Sequence, residues 1–153
     1  KRAVNFQTGS VSLKGFNHAN EDRFAVVEDF NRTAYGHKTR CDSPARAYFA
    51  VFDGHGGSEA AEYGKSQLHF NVARSSFFPS HPSAAFTEAV LETDKRFCEW
   101  SLGNGALNDS GSCVLAVLLT GAHLTVCNLG DCRCVYFDGV CCTDLTRDHA
   151  AVC

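Results

Sequence analysis

The sequence predicts an α+β fold built on antiparallel sheet, and three observations carry that prediction. Short apolar runs rich in aromatic and β-branched residues stand near both ends of the chain. Two longer stretches with helical spacing stand between them. The late strands follow one another through turns, without intervening helices. Strands, two helices and then a strand meander argue against a repeating β-α-β wind. The 153 residues fit one domain, residues 1–153, with a real core, and 44% hydrophobic with 20% charged residues is ordinary for a globular protein.

Residues 5–13 alternate loosely and predict a strand. Residues 23–30 predict a second, through Phe24, Val26 and Val27. Residues 31–44 are polar, contain Gly36 and Pro44, and predict a surface loop. Residues 47–52 (AYFAVF) are apolar and stop at Asp53-Gly54, the pattern of a buried strand running into a turn. A helix follows. Ser58 is placed to cap it, and Glu59 and Glu62 put negative charge in its first turn, where the helix dipole favours it. Ala61, Gly64, Leu68 and Val72 share one face. Ser80-His81-Pro82 starts a second helix, with proline in the first turn and an apolar stripe of Phe86, Val90, Thr93, Phe97 and Trp100. Beyond a loop at 103–111, residues 113–119 are apolar on both faces and predict a central strand. Residues 123–129 and 132–137 predict two more strands, and Asp138-Gly139 predicts a tight two-residue hairpin turn.

The net charge of −3 supplies no basic field to draw the chain to nucleic acid or membrane, and neither is expected as a partner. No apolar run reaches the roughly 18 residues of a spanning helix, and residues 1–9 lack the apolar core of a secretion signal. Nine irregularly spaced cysteines do not form a secreted disulfide framework. Cys113, Cys127 and Cys134 lie in apolar runs and are expected to act as small hydrophobes. Cys132-x-Cys134 and Cys141-Cys142 lack the spacing of a structural zinc site. This usage predicts an intracellular protein, cytoplasmic or nuclear, in which the sequons at Asn31 and Asn108 are chance matches.

The most informative segment is residues 49–58 (FAVFDGHGGS). An apolar strand fixes Asp53 on a rigid element as an oxygen ligand. Gly54 has no side chain, so its carbonyl is free to face the same ion. Hard cations such as Mg²⁺ and Mn²⁺ take such donors. His55 stands next in line for proton transfer, and Gly56-Gly57 lets the chain bend into the helix. Three other readings stand beside this one. A dinucleotide fold also places a strand, a glycine-rich turn and a helix in this order, but Glu59 occupies the third glycine position. A lipase-like oxyanion loop would need a G-x-S-x-G elbow, which the sequence lacks. A purely structural turn is the third.

Asn20-Glu21-Asp22 is by default a solvated pair of acids at the start of a strand. Together with Asp53 it would form an acidic cluster that needs a cation, because close carboxylates raise each other's pKa. Gly130-Asp131 is by default a turn between two strands.

These segments, in this order, resemble the PP2C (PPM) family of protein serine/threonine phosphatases. Asn20-Glu21-Asp22 is similar to its first acidic motif, and residues 49–57 (FAVFDGHGG) nearly match its most specific one. Ser110-Gly111-Ser112-Cys113, residues 128–135 (NLGDCRCV) and residues 145–149 (LTRDH) resemble three later segments. The resemblance covers essentially the whole chain. It implies a PP2C-like antiparallel β-sandwich flanked by helices, and hydrolysis of phosphoserine and phosphothreonine in a phosphoprotein substrate. Two Mg²⁺ or Mn²⁺ ions would activate the attacking water, without a phosphoenzyme. By this resemblance Asp53 bridges both metals, the Gly54 carbonyl binds one, and Glu21 and Asp22 hold metal-bound waters. His55 protonates the leaving oxygen, and Asp131 serves a third, looser metal.

Two departures qualify the match. Many family members carry a phosphate-gripping arginine four residues before the first-motif glutamate. Here that position is Asn17, which has neither charge nor a bidentate fork, with Lys14 or Arg23 as possible substitutes. The later Asp-Gly-x-x-Asp and Asp-Asn motifs, which supply further metal aspartates, are absent. The expectation is therefore the amino-terminal half of a catalytic domain with an incomplete site. A catalytically inactive relative acting as a protein-binding module is the alternative.

Overall fold

A computed structural model describes residues 6–36, 43–103 and 109–149 of the chain. A run of apolar residues with alternating burial forms strand β1 (Arg23–Val27), and a short helix α1 (Phe30–Tyr35) follows it. Strand β2 spans Arg46–His55, helix α2 Glu59–Arg74 and helix α3 Pro82–Gly103. Strands β3 (Gly111–Thr120) and β4 (His123–Leu129) complete a four-stranded sheet of order β1-β2-β3-β4, with every pair antiparallel. Strands β5 (Val135–Phe137) and β6 (Cys142–Asp144) form a separate two-stranded antiparallel sheet. This is the α+β, antiparallel-sheet architecture expected, with β3 central between β2 and β4.

Alternation along the strands divides the large sheet into two faces. Tyr48, Ala50, Phe52, Ala116 and Leu118 face the helices. There they bury against Ala61, Leu68 and Val72 of α2, Ala85, Phe86 and Ala89 of α3, and Phe30 of α1. Phe24, Val26 and Val51 point the other way and are 40%, 42% and 47% exposed. Phe49, Leu115, Val117 and Leu119 share that face, and Phe6 packs edge-on against Phe49 at 5.6 Å. No helix among the described residues is long and apolar enough to cross a membrane.

Several local expectations are corrected. Residues 6–13 make no ladder with the described residues, because loose alternation supplies no partner edge. Residues 31–35, expected as loop, belong to α1. The Asp29 carboxylate accepts the Arg32 N–H at 3.2 Å, and the helix buries Phe30 and Asn31. The strand through 47–52 does not stop at Asp53 but runs on to His55. In α3 the stripe buries Phe86, while Trp100 is 46% exposed. The β5–β6 hairpin exists, but Phe137 pairs with Cys142, so residues 138–141 form a four-residue loop. Only Gly139 of the predicted turn has positive φ, at 98°. Asp138 instead accepts the Val140 and Cys141 N–H groups at 2.8 and 2.7 Å. The seven described cysteines are free thiols, and Cys127 packs on the core as expected.

Candidate active site

The register of β2 against β3 places the end of β2 at the rim of the sheet. Asp53 pairs with Cys113, Gly54 with Ser112 and His55 with Gly111. Asp53 and His55, two residues apart, share the open apolar face. Gly54 points to the helices, and its lack of a side chain has a physical cause. A Cβ there would overlap the Glu21 carbonyl oxygen and stand 3.2 Å from the Ala61 Cβ. The glycine thus lets the lead into β1 lie directly against β2.

That close approach brings the two acidic motifs together. Asp22, Glu21, Asp53 and Gly54 line one cavity of about 400 Å³, with Leu13, Lys14, Asn17, His18, Ala19 and Asn20 around the rest. Burial raises the Asp53 carboxyl above the usual carboxylate range. The Asp22 and Asp131 carboxylates add to the rise, as does a side-chain hydrogen bond with Asp22, while nearby His55 works against it. Asp53 forms no ion pair among the described residues.

The approach to β1 is held from both sides. Asn20 accepts the Asp22 N–H at 3.0 Å and donates its amide to Ser12 Oγ at 2.7 Å. Arg23 donates to the Asn20 and Asp22 carbonyls at 3.0 and 2.8 Å, and its Nε binds Glu62 of α2 at 2.5 Å. Arg23 is therefore a clamp on the acidic segment.

Beyond His55 the chain turns into α2 through Gly56 and Gly57, with φ of 68° and 131°. Ser58 stands at the N-cap position, but its side chain makes no capping bond. The half-buried Ala60 N–H donates instead to Ser110 Oγ at 3.1 Å, so the cap comes from the segment leading into β3. The His55 ring lies over Gly111, and a Cβ there would stand 2.7 Å from Nε2.

Asp131 lies outside the cavity, on the other flank of Asp53. It accepts a hydrogen bond from the Cys113 thiol at 3.4 Å. Burial, followed by the Asp53, Cys113 and Asp131 charges, pushes the Cys132 thiol up to about 11. The two late motifs bind each other. Arg133 forms a two-pronged pair with Asp148 at 2.9 and 2.7 Å, the His149 N–H donates to the Gly130 carbonyl at 2.9 Å, and Asn128 donates to the Arg147 carbonyl at 3.0 Å. Gly130 is required for this turn: its φ is 103° and a Cβ there would overlap the Cys113 thiol.

The donor chemistry of the cavity fits a hard divalent cation, since the Glu21, Asp22 and Asp53 carboxylates line it and none of them is in an ion pair among the described residues. Among the described residues, however, no three His, Cys, Asp or Glu side chains converge into a complete metal cage. Among the described residues all strand pairing is antiparallel, which removes the dinucleotide reading, because α2 is not the crossover of a parallel β-α-β unit. The sequence reasoning missed His18 in the cavity wall and the cap from Ser110. The Asn20-to-Asp22 turn, a local Asx pattern, was the available sign that the acidic segment is ordered.

Comparison with known proteins gives the same pattern. The "Protein phosphatase 2C" family profile matches residues 6–153. "Probable protein phosphatase 2C 57" of Oryza sativa subsp. japonica is 36% identical over 151 residues, covering 96% of this chain and 39% of the relative. "Probable protein phosphatase 2C 59" of Arabidopsis thaliana is 41% identical over 101 residues, covering 66% of this chain and 32% of the relative. A serine-threonine phosphatase 2C from Toxoplasma gondii superposes with a TM-score of 0.70 at 21% identity, over 91% of this chain and 48% of that one. A C. elegans sex determining protein superposes with a TM-score of 0.75 at 23% identity, over 91% of this chain and 33% of that one. These two structures show the fold alone. The chain spans 39%, 36% and 33% of the first three curated relatives it matches.

Proposed function

The chain belongs to the protein phosphatase 2C family, and from that premise we propose that the full-length protein hydrolyses phosphoserine and phosphothreonine esters in phosphoproteins, with Mg²⁺ or Mn²⁺ at Asp53. The observation that carries the reading is the crowding of Asp53 by Asp22 and Asp131 at a cavity edge with no protein cation paired to it. Asp53 and the Gly54 carbonyl are the proposed direct ligands. Glu21 and Asp22 would hold the ion through water, and Asp131 would serve a further, looser ion from outside the cavity. Bound divalent cations supply charge neutralisation at the phosphate oxygens and a lowered pKa for the attacking water.

The chain's own residues supply the positioning. Strand β2, paired on both sides, fixes Asp53. Arg23 holds the Asn20 and Asp22 backbone against Glu62 of α2. His55, exposed at the strand end two residues from Asp53, is the general acid that donates a proton to the departing serine or threonine oxygen. The noncatalytic alternative is favoured by one observation, the absence of a three-residue metal cage among the described residues.

Phosphate release from a phosphothreonine peptide, measured on the full-length protein with and without Mn²⁺, separates the two readings. Metal-dependent release that Asp53→Ala abolishes is the expected result. Peptide binding without turnover, unchanged in Asp53→Ala, would overturn the proposal in favour of the binding module.

A further inference from the structure

A second segment joins the acids in lining the cavity. The Asn17 N–H donates to the Lys14 carbonyl at 3.3 Å and Gly15 adopts φ of 60°, so the chain turns back at residues 14–17. This turn brings Lys14, Asn17 and His18 to the same cavity that Glu21, Asp22 and Asp53 line. Lys14 is the only lysine or arginine lining the cavity among the described residues, and it is in no ion pair. Arg23, the nearest guanidinium in sequence, is committed to Glu62 and to two backbone carbonyls.

We infer that Lys14 is the phosphate-binding cation of this protein, the charged contact to the substrate's phosphoryl group in the cavity that Asp53 also lines. The inference rests on reading the cavity as a phosphate-ester site. Three carboxylates of the described lining would hold divalent cations, and Lys14 adds its one ammonium, a charge opposite to that of a phosphate dianion. A lysine is a point charge on a flexible stem and grips phosphate without the fixed two-pronged geometry of a guanidinium. Asn17, in the same turn, adds an uncharged amide donor. The ligand class is a phosphate monoester dianion.

The test uses the full-length protein with Lys14→Gln and Lys14→Arg. Three quantities are measured: KM and kcat on a phosphothreonine peptide, Mn²⁺ affinity by electron paramagnetic resonance, and inorganic phosphate affinity by calorimetry in saturating Mn²⁺. The inference predicts that K14Q raises KM and weakens phosphate about tenfold or more, the scale of one charge-assisted contact. It predicts that kcat stays within about threefold and Mn²⁺ affinity is not weakened, and that K14R restores both losses. An unchanged KM and phosphate affinity in K14Q would overturn it. So would a loss of Mn²⁺ affinity matching the loss of phosphate affinity, since that reports a damaged metal site. If the wild type binds Mn²⁺ and phosphate without turnover, the phosphatase reading fails. The phosphate affinities of the two variants then decide the role of Lys14 by themselves.

Discussion

The imidazole of His55 lies across the β2–β3 ladder on Gly111, whose missing side chain leaves the ring its place. Gly111→Ala would drive a methyl into that ring and turn it. If His55 is the general acid, kcat for a phosphothreonine peptide falls by about 10²-fold, the cost of a misplaced catalytic group, while Mn²⁺ affinity changes little. Steady-state kinetics with a parallel Mn²⁺ titration checks this. A wild-type kcat in the variant would remove His55 from the mechanism.

Arg23 joins the first acidic motif to α2 through Glu62, so Arg23→Met loosens Asn20 and Asp22 without touching Asp53. Supporting contacts of this type are worth about 10–100-fold in metal affinity. Mn²⁺ binding to R23M is expected to weaken by at least about tenfold. An unchanged affinity would mean that the acidic segment holds its place without the clamp.

Ser110 supplies the cap that Ser58 does not. Ser110→Ala is expected to cost about 1 kcal/mol, and Ser58→Ala much less. Urea denaturation midpoints of the two variants give the comparison directly. The reverse order would return the cap to Ser58.

Asp53 titrates in a direction that can be checked on metal-free protein. Burial and the Asp22 and Asp131 charges raise its carboxyl, with His55 opposing. The folded state then holds the proton more tightly than the unfolded chain. The resulting cost to stability is absent below the unfolded carboxylate pKa of about 3.9 and appears as the pH rises through the folded value. Asp53→Asn removes the cost. The metal-free variant is expected to melt above the wild type at pH 7, with the gap closing by about pH 3. On adding Mn²⁺ the wild type gains stability and the variant does not.

Sequence and structure agree where local chemistry is self-sufficient. The apolar run before Asp53 has only one comfortable place, a buried strand, and the helical faces of Ala61, Leu68 and Val72 and of Phe86 found the core. Agreement fails where an element depends on a distant partner. Residues 6–13 lack a ladder among the described residues, and alternation alone cannot supply one. Helix α1 rests on the Asp29 cap and the burial of Phe30, within a stretch whose composition resembles loop. At the site, the residue types of Asp53, Glu21 and Asp22 were legible. Their meeting was not, because it depends on Gly54 admitting the Glu21 backbone. The commitment of Arg23 was hidden for the same reason, since Glu62 lies 39 residues away in the chain.

The claim on which the rest depends is that Asp53 ligates a divalent cation in this cavity. Crystals of the full-length protein soaked in MnCl₂ and measured for anomalous scattering test it directly. The account predicts a manganese peak about 2.1 Å from an Asp53 carboxylate oxygen, with the Gly54 carbonyl in the same coordination sphere. A map with no peak at Asp53, and its carboxylate paired with a protein cation instead, would contradict it.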